Sequence, residues 1–122
     1  MKILVIDDDL LLLRTIARIL EADGHEVHTA SEGVRGMALY QRESPEIVIT
    51  DIVMPEQEGL ETILTLRRDE NRVKIIAMSG SDAELLDVAR LIGADSIIEK
   101  PFRPQDLLAR VRALDNPPLA SP

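Results

Sequence analysis

Ile3-Leu4-Val5-Ile6-Asp7-Asp8-Asp9 is the stretch that decides the architecture. Its four apolar residues are too few for a helix and too continuous for a strand with one wet face. They read as a strand buried on both sides. Three carboxylates follow at once, and from Leu10 the apolar period changes, with Leu13, Ile16, Ala17 and Leu20 on one helical face up to about Asp23. A doubly covered strand, a polar turn and an amphipathic helix form the opening unit of a parallel α/β sheet.

The same alternation repeats outward from this unit. Gly24 ends the first helix, Val27–Ala30 is a weaker strand, and a helix around Glu32–Glu43 follows with Gly36 inside it. Pro45 introduces the strand Ile47-Val48-Ile49, and Glu58 to about Asp69 is helical through Leu60, Ile63 and Leu64. Val73–Met78 is a strand. Ser81-Asp82-Ala83-Glu84 has capping-box spacing, and Leu85, Val88, Ala89 and Ile92 are expected to form the buried face behind it. Gly93 closes that helix, Asp95–Glu99 is a short strand, and Pro104 opens a last helix carrying Leu107, Leu108, Val111 and Leu114. Five strand–helix pairs predict a doubly wound, five-stranded parallel sheet of flavodoxin-like α/β class. The more polar second and fifth strands suit its edges, which gives the order 2-1-3-4-5 and a switch point between strands 1 and 3. Residues 1–114 form the expected domain, and the Pro-rich residues 115–122 read as a tail or the start of a linker.

Composition narrows the function classes. With 122 residues there is room for one ordinary domain. Fourteen Lys and Arg against twenty-two Asp and Glu give a net charge of −8, the wrong sign for direct nucleic-acid binding. Tyr40 and Phe102 are the only aromatic residues, so no base-stacking platform exists, and both read as core. The absence of cysteine removes disulfides, zinc-thiolate sites and thiol nucleophiles. No apolar run reaches the ~20 residues of a membrane span, and the N-terminus lacks a signal peptide's pattern. A soluble, cytoplasmic domain without membrane insertion is expected.

In an open α/β sheet the carboxyl ends of the strands near the switch point carry the ligand chemistry. Here these ends are Asp7-Asp8-Asp9, Thr50-Asp51, Ser79-Gly80 and Glu99-Lys100-Pro101. Carboxylates brought together there repel unless a hard, oxygen-preferring cation compensates them, and Mg²⁺ is the default. A hydroxyl and an ammonium beside such a cation suit phosphoryl oxygens, and Asp51 stands alone at its strand end, as a nucleophile could. Taken singly, each residue has a plainer role. Asp and Ser after strands are ordinary helix caps, which is the role assigned to Asp9, and a lone Lys is usually solvated. Their joint placement at four strand ends outweighs these separate accounts. His25 and His28 have no partner at metal-ligand spacing in the sequence and read as solvated.

Val5-Ile6-Asp7-Asp8, Ile49-Thr50-Asp51-Ile52-Val53-Met54-Pro55 with Gly59, Met78-Ser79-Gly80 and Lys100-Pro101-Phe102 resemble, in that order, the motifs of response-regulator receiver domains of two-component phosphorelay signalling. The resemblance covers residues 1–114. It implies that Asp51 accepts a phosphoryl group from a sensor histidine kinase or histidine phosphotransfer protein, and that a downstream protein target reads the result. It further implies Mg²⁺ held by Asp7, Asp8, Asp51 and the backbone carbonyl of Val53. Ser79 and Lys100 then face the phosphoryl oxygens, with a cis bond between Lys100 and Pro101. The domain would be a phosphoacceptor rather than an enzyme. Ile97 stands where the family commonly has Tyr or Phe, which bears on how phosphorylation reaches the output face.

Rival readings are weaker. A haloacid-dehalogenase-type phosphatase shares Asp-x-Asp after its first strand, but Leu11 stands where that motif wants a hydroxyl or small β-branched residue. A dinucleotide site needs G-x-G-x-x-G, and an aspartate-rich turn repels pyrophosphate. A purely structural module does not need Asp51 and Lys100 together. A stand-alone regulator is the expected form, with the receiver part of a longer regulator carrying an output domain as the alternative.

Overall fold

In the computed structural model, which describes residues 1–54, 58–68, 73–80 and 83–115, strands and helices alternate without exception. The order is β1 (Lys2–Ile6), α1 (Leu10–Ala22), β2 (Glu26–Ala30), α2 (Gly33–Glu43), β3 (Ile47–Asp51), α3 (Glu58–Arg68), β4 (Lys74–Ser79), α4 (Ala83–Leu91), β5 (Ser96–Glu99) and α5 (Pro104–Asp115). The five parallel strands lie in the order β2-β1-β3-β4-β5, as the polarity of strands 2 and 5 predicts.

Strand side chains alternate between two cores because the pleat has a period of two. Leu4, Ile6, Val48, Ile75 and Ala77 face α2, α3 and α4. Ile3, Val5, Ile47, Ile49, Ile76 and Met78 face α1 and α5, meeting Leu13, Ile16, Leu20, Leu107 and Val111. This two-sided burial is the physical reason that β1, β3 and β4 are continuously apolar. Tyr40 is buried in the first core and Phe102 packs against the second, as expected of both.

Local chemistry sets the helix ends. Asp9 caps α1, its Oδ1 accepting from the Leu11 and Leu12 amides at 3.1 Å each, so its role is the structural one expected. Gly36 lies within α2 because the helix presses on β1 there, and a Cβ would run into the Ile6 side chain. On α4 the expected face is partly wrong. Leu86, 5% exposed, and Ala89 turn to the sheet, flanked by Leu85 and Ile92, whereas Val88 is 39% exposed. The proposed capping box includes Ser81 and Asp82, which lie outside the described residues. Helix α5 runs on through Asp115, one residue beyond the expected domain edge.

One tie crosses three elements. Arg67, near the end of α3, donates from Nε to the Gly93 carbonyl and from Nη1 to the Val73 carbonyl, at 2.8 Å each, and from Nη2 to Asp95 Oδ2 at 2.5 Å. Asp95 Oδ2 also accepts the Ile75 amide at 2.8 Å. Gly93 has φ +129°, and a Cβ there would overlap the Arg67 side chain, so its glycine serves both the turn and the guanidinium.

Candidate phosphoryl and metal site

The carboxyl ends of β1, β3, β4 and β5 bring Asp7, Asp51, Ser79 and Lys100 into one place. Register sets this up: the Ile52 amide donates to the Met78 carbonyl, and the Lys100 amide to the Ser79 carbonyl, each just past a strand end. Asp7 is fully buried and Asp51 is 5% exposed, while the neighbouring Asp8 faces solvent. Lys100 Nζ donates to Asp7 Oδ2 and to Asp51 Oδ2, both at 2.7 Å. The other oxygens are held by backbone amides. Asp9 N–H donates to Asp7 Oδ1 at 2.9 Å and Val53 N–H to Asp51 Oδ1 at 2.7 Å.

Ser79 is fully buried, and its Oγ has no hydrogen-bond partner among the described residues. A buried hydroxyl of this kind costs free energy that a bound oxygen-rich group would recover. The peptide bond between Lys100 and Pro101 is cis, as the resemblance implies. Val53 leaves its side chain 44% exposed, so its contribution here is through the backbone.

Electrostatics mark Asp51 as the unusual group. Burial pushes its carboxyl above the ordinary range and the Asp7 charge adds to this, while the hydrogen bonds from Lys100 and Val53 pull the other way. For Lys100, burial alone would lower the ammonium, but the hydrogen bonds to Asp51 and Asp7 together hold it above its usual value. Asp7, Asp8 and Asp51 each place a carboxylate oxygen within 4.8 Å of the others. Three such groups against one ammonium leave residual negative charge and an all-oxygen donor set. That combination fits a hard divalent cation, and Mg²⁺ in particular.

Both histidines depart from expectation. His25 is not solvated: its side chain is 8% exposed, with the Met1 amino group donating to Nδ1 at 3.1 Å and Asp23 Oδ2 lying 3.6 Å from Nε2. His28 does have partners at ligand distance, Glu26 on its own strand and Glu43 on α2. The i, i+2 spacing of Glu26 and His28 was visible in the sequence. The approach of Glu43 depends on how α2 docks and was not.

The fold, with its polar strand ends meeting at the switch point, defines a class: a doubly wound, flavodoxin-like α/β domain. The family model for the response regulator receiver domain matches residues 3–112, and the chain belongs to that family. It is 36% identical over 115 residues to the response regulator MprA of Mycobacterium leprae, covering 93% of this chain and 50% of that protein. It is 33% identical over 114 residues to the alkaline phosphatase synthesis transcriptional regulatory protein PhoP of Bacillus subtilis, covering 93% and 48%. The structure of the chemotaxis protein CheY4 of Vibrio cholerae superimposes with a TM-score of 0.85 at 26% identity, covering 93% of this chain and 97% of that one. The chain spans about half the length of the curated relatives it matches. Among the described residues, no helix is long and apolar enough to cross a membrane.

Proposed function

We propose that residues 1–114 are a phosphoacceptor switch in the cytoplasm. Asp51 takes a phosphoryl group from the phosphohistidine of a sensor kinase or histidine phosphotransfer protein, and a protein target downstream reads the change. The observation that carries this reading is the convergence of Lys100 Nζ on both Asp7 and Asp51 at 2.7 Å, beside the fully buried Ser79.

In the transfer, an Asp51 oxygen forms the new P–O bond while the N–P bond of the donor histidine breaks, and the bonding pair stays on the imidazole nitrogen. Lys100 is already inside the pocket and moves from carboxylate to phosphoryl oxygens, and Ser79 Oγ donates to another of them. Val53 N–H keeps Asp51 oriented for attack. Asp7, Asp8, Asp51 and the Val53 carbonyl would hold Mg²⁺, which supplies charge neutralisation at the phosphoryl oxygens. The domain assists its own phosphorylation and dephosphorylation and turns over no separate substrate, so it is a signalling domain and not an enzyme. It makes no direct contact with nucleic acid.

Two architectures suit this domain. The stand-alone form, with residues 115–122 as a tail, has a counterpart in the CheY4 chain, of which the match covers 97%. The receiver half of a longer regulator is favoured by the curated relatives, which are twice the matched length.

Intact-mass spectrometry after incubation with acetyl phosphate and Mg²⁺ tests the core of this reading. The wild type gains one phosphoryl group and Asp51→Asn gains none. Equal labelling of the two proteins removes Asp51 as the acceptor.

A further inference from the structure

On the flank of the sheet away from β4, the edge strand carries a second cluster of ligating atoms. Glu26 and His28 are two residues apart on β2, and Glu43 reaches them from the last turn of α2. His28 Nε2 lies 2.7 Å from Glu26 Oε2 and 3.5 Å from Glu43 Oε1. One ligand atom from each residue falls within 4.8 Å of the other two.

The surroundings prepare the three groups. Arg42 Nε donates to Glu43 Oε2 at 2.9 Å, which leaves Oε1 turned toward His28. Outer hydrogen bonds of this kind orient metal-binding carboxylates. The His28 hydrogen bond holds the Glu26 carboxyl below its ordinary range, and the Arg42 hydrogen bond does the same for Glu43, so both are anions at neutral pH. Lys2 Nζ stands 3.7 Å from Glu26 Oε2 and 3.5 Å from Glu43 Oε1, but its hydrogen bond goes to the Glu43 carbonyl at 3.0 Å. The ammonium pairs with both carboxylates at ion-pair distance, so it marks where positive charge is favoured and competes there with a bound cation.

We propose that Glu26, His28 and Glu43 form a second cation site, distinct from the aspartate site and suited to Zn²⁺ rather than Mg²⁺. The imidazole decides the preference, because Mg²⁺ takes oxygen donors while Zn²⁺ accepts a nitrogen with two carboxylates and keeps a position for water. For His28 to serve, Nε2 turns from donor to ligand and the ring proton resides on Nδ1. A bound ion joins β2 to the end of α2 and replaces the His28–Glu26 hydrogen bond. The inference is independent of phosphorylation and stands or falls without it.

The test is titration of the full chain with Zn²⁺ in excess Mg²⁺, which occupies the all-oxygen site, followed by calorimetry and by amide chemical shifts. Wild type is expected to bind one Zn²⁺ with shifts centred on residues 26–28 and 43. His28→Gln and Glu43→Gln each weaken binding by at least about tenfold. Lys2→Met tightens it by removing a competing charge, and Asp8→Asn leaves it unchanged. Far-UV circular dichroism shows whether each variant is folded, and two independent ligand variants guard against the loss of one. No binding up to millimolar Zn²⁺ overturns the proposal. So does binding that survives His28→Gln, or shifts centred instead on Met1 and His25 or on Asp7, Asp8 and Asp51.

Discussion

Asp51 is an anion held where burial opposes one, and that has a measurable cost. Its raised carboxyl keeps its proton in the folded state at pH values where the unfolded chain has already lost it. The unfolded state then binds fewer protons, so stability conferred by this group is present below its ordinary range and falls as pH rises through the window up to the folded value. Asn at this position has no charge to bury. Without divalent ions, Asp51→Asn is expected to be more stable than wild type near neutral pH by on the order of 1 kcal/mol. The gap narrows as pH falls into the acid range. Thermal melts from acid to neutral pH check both sign and trend, and a gap that widens toward acid would contradict the account. The acidic triad, Ser79 and Lys100 were legible in the sequence because residue type and strand-end position suffice to find them. The different fates of Asp7, fully buried, and Asp8, exposed, were not, since neighbours of the same type differ only by the direction of the chain.

The elements hold that site through backbone contacts as much as through side chains. Gly59, in the first turn of α3, packs so close to the end of β3 that a Cβ would collide with the Asp51 carbonyl oxygen and the Ile52 Cα. Neither obstacle is a flexible side chain, so α3 must move. Gly59→Ala gains up to ~1 kcal/mol in helix propensity but is expected to lose more by overpacking, for a net destabilisation of about 2 kcal/mol. Because the displaced backbone carries Asp51, labelling by acetyl phosphate should slow as well. Urea melts and labelling rates measured on the same variant check this, and normal labelling would show that α3 gives way without disturbing β3. At this scale the sequence was read well where periodicity was long and poorly where it was short. Helix α1, with thirteen residues, showed its buried face clearly. Helix α4 has nine, too few to fix the phase, and Val88 was taken for Leu86. The Arg67 tie to Gly93, Val73 and Asp95 left no sequence signal, because it joins three segments that only the finished sheet brings together.

Across the whole molecule, the question is how far a change at Asp51 travels. Ile97 pairs with Ala77 and points into the core under α2, α3 and α4, the face that Ser79 shares by alternation along β4. It is branched at Cβ and already packed, so it has few rotamers to exchange. Binding of a beryllofluoride mimic is therefore expected to shift amides mainly around Asp51, Val53 and Ser79, with weak shifts along α4, β5 and α5. Equally large shifts over residues 85–110 would show that Ile97 relays the change after all. The reach of Lys100 has a consequence for the chain's birth. Its ammonium meets Asp7 across a sequence separation of 93 residues, and Lys100 lies just past β5, the last of the five strands to be made. On a ribosome, both buried aspartates emerge long before their counter-ion. A nascent chain can carry the acceptor through the synthesis of β4, α4 and β5 without a pocket to charge it, so competence to receive a signal arrives in one step, once Lys100 has emerged, and certifies that the sheet has closed.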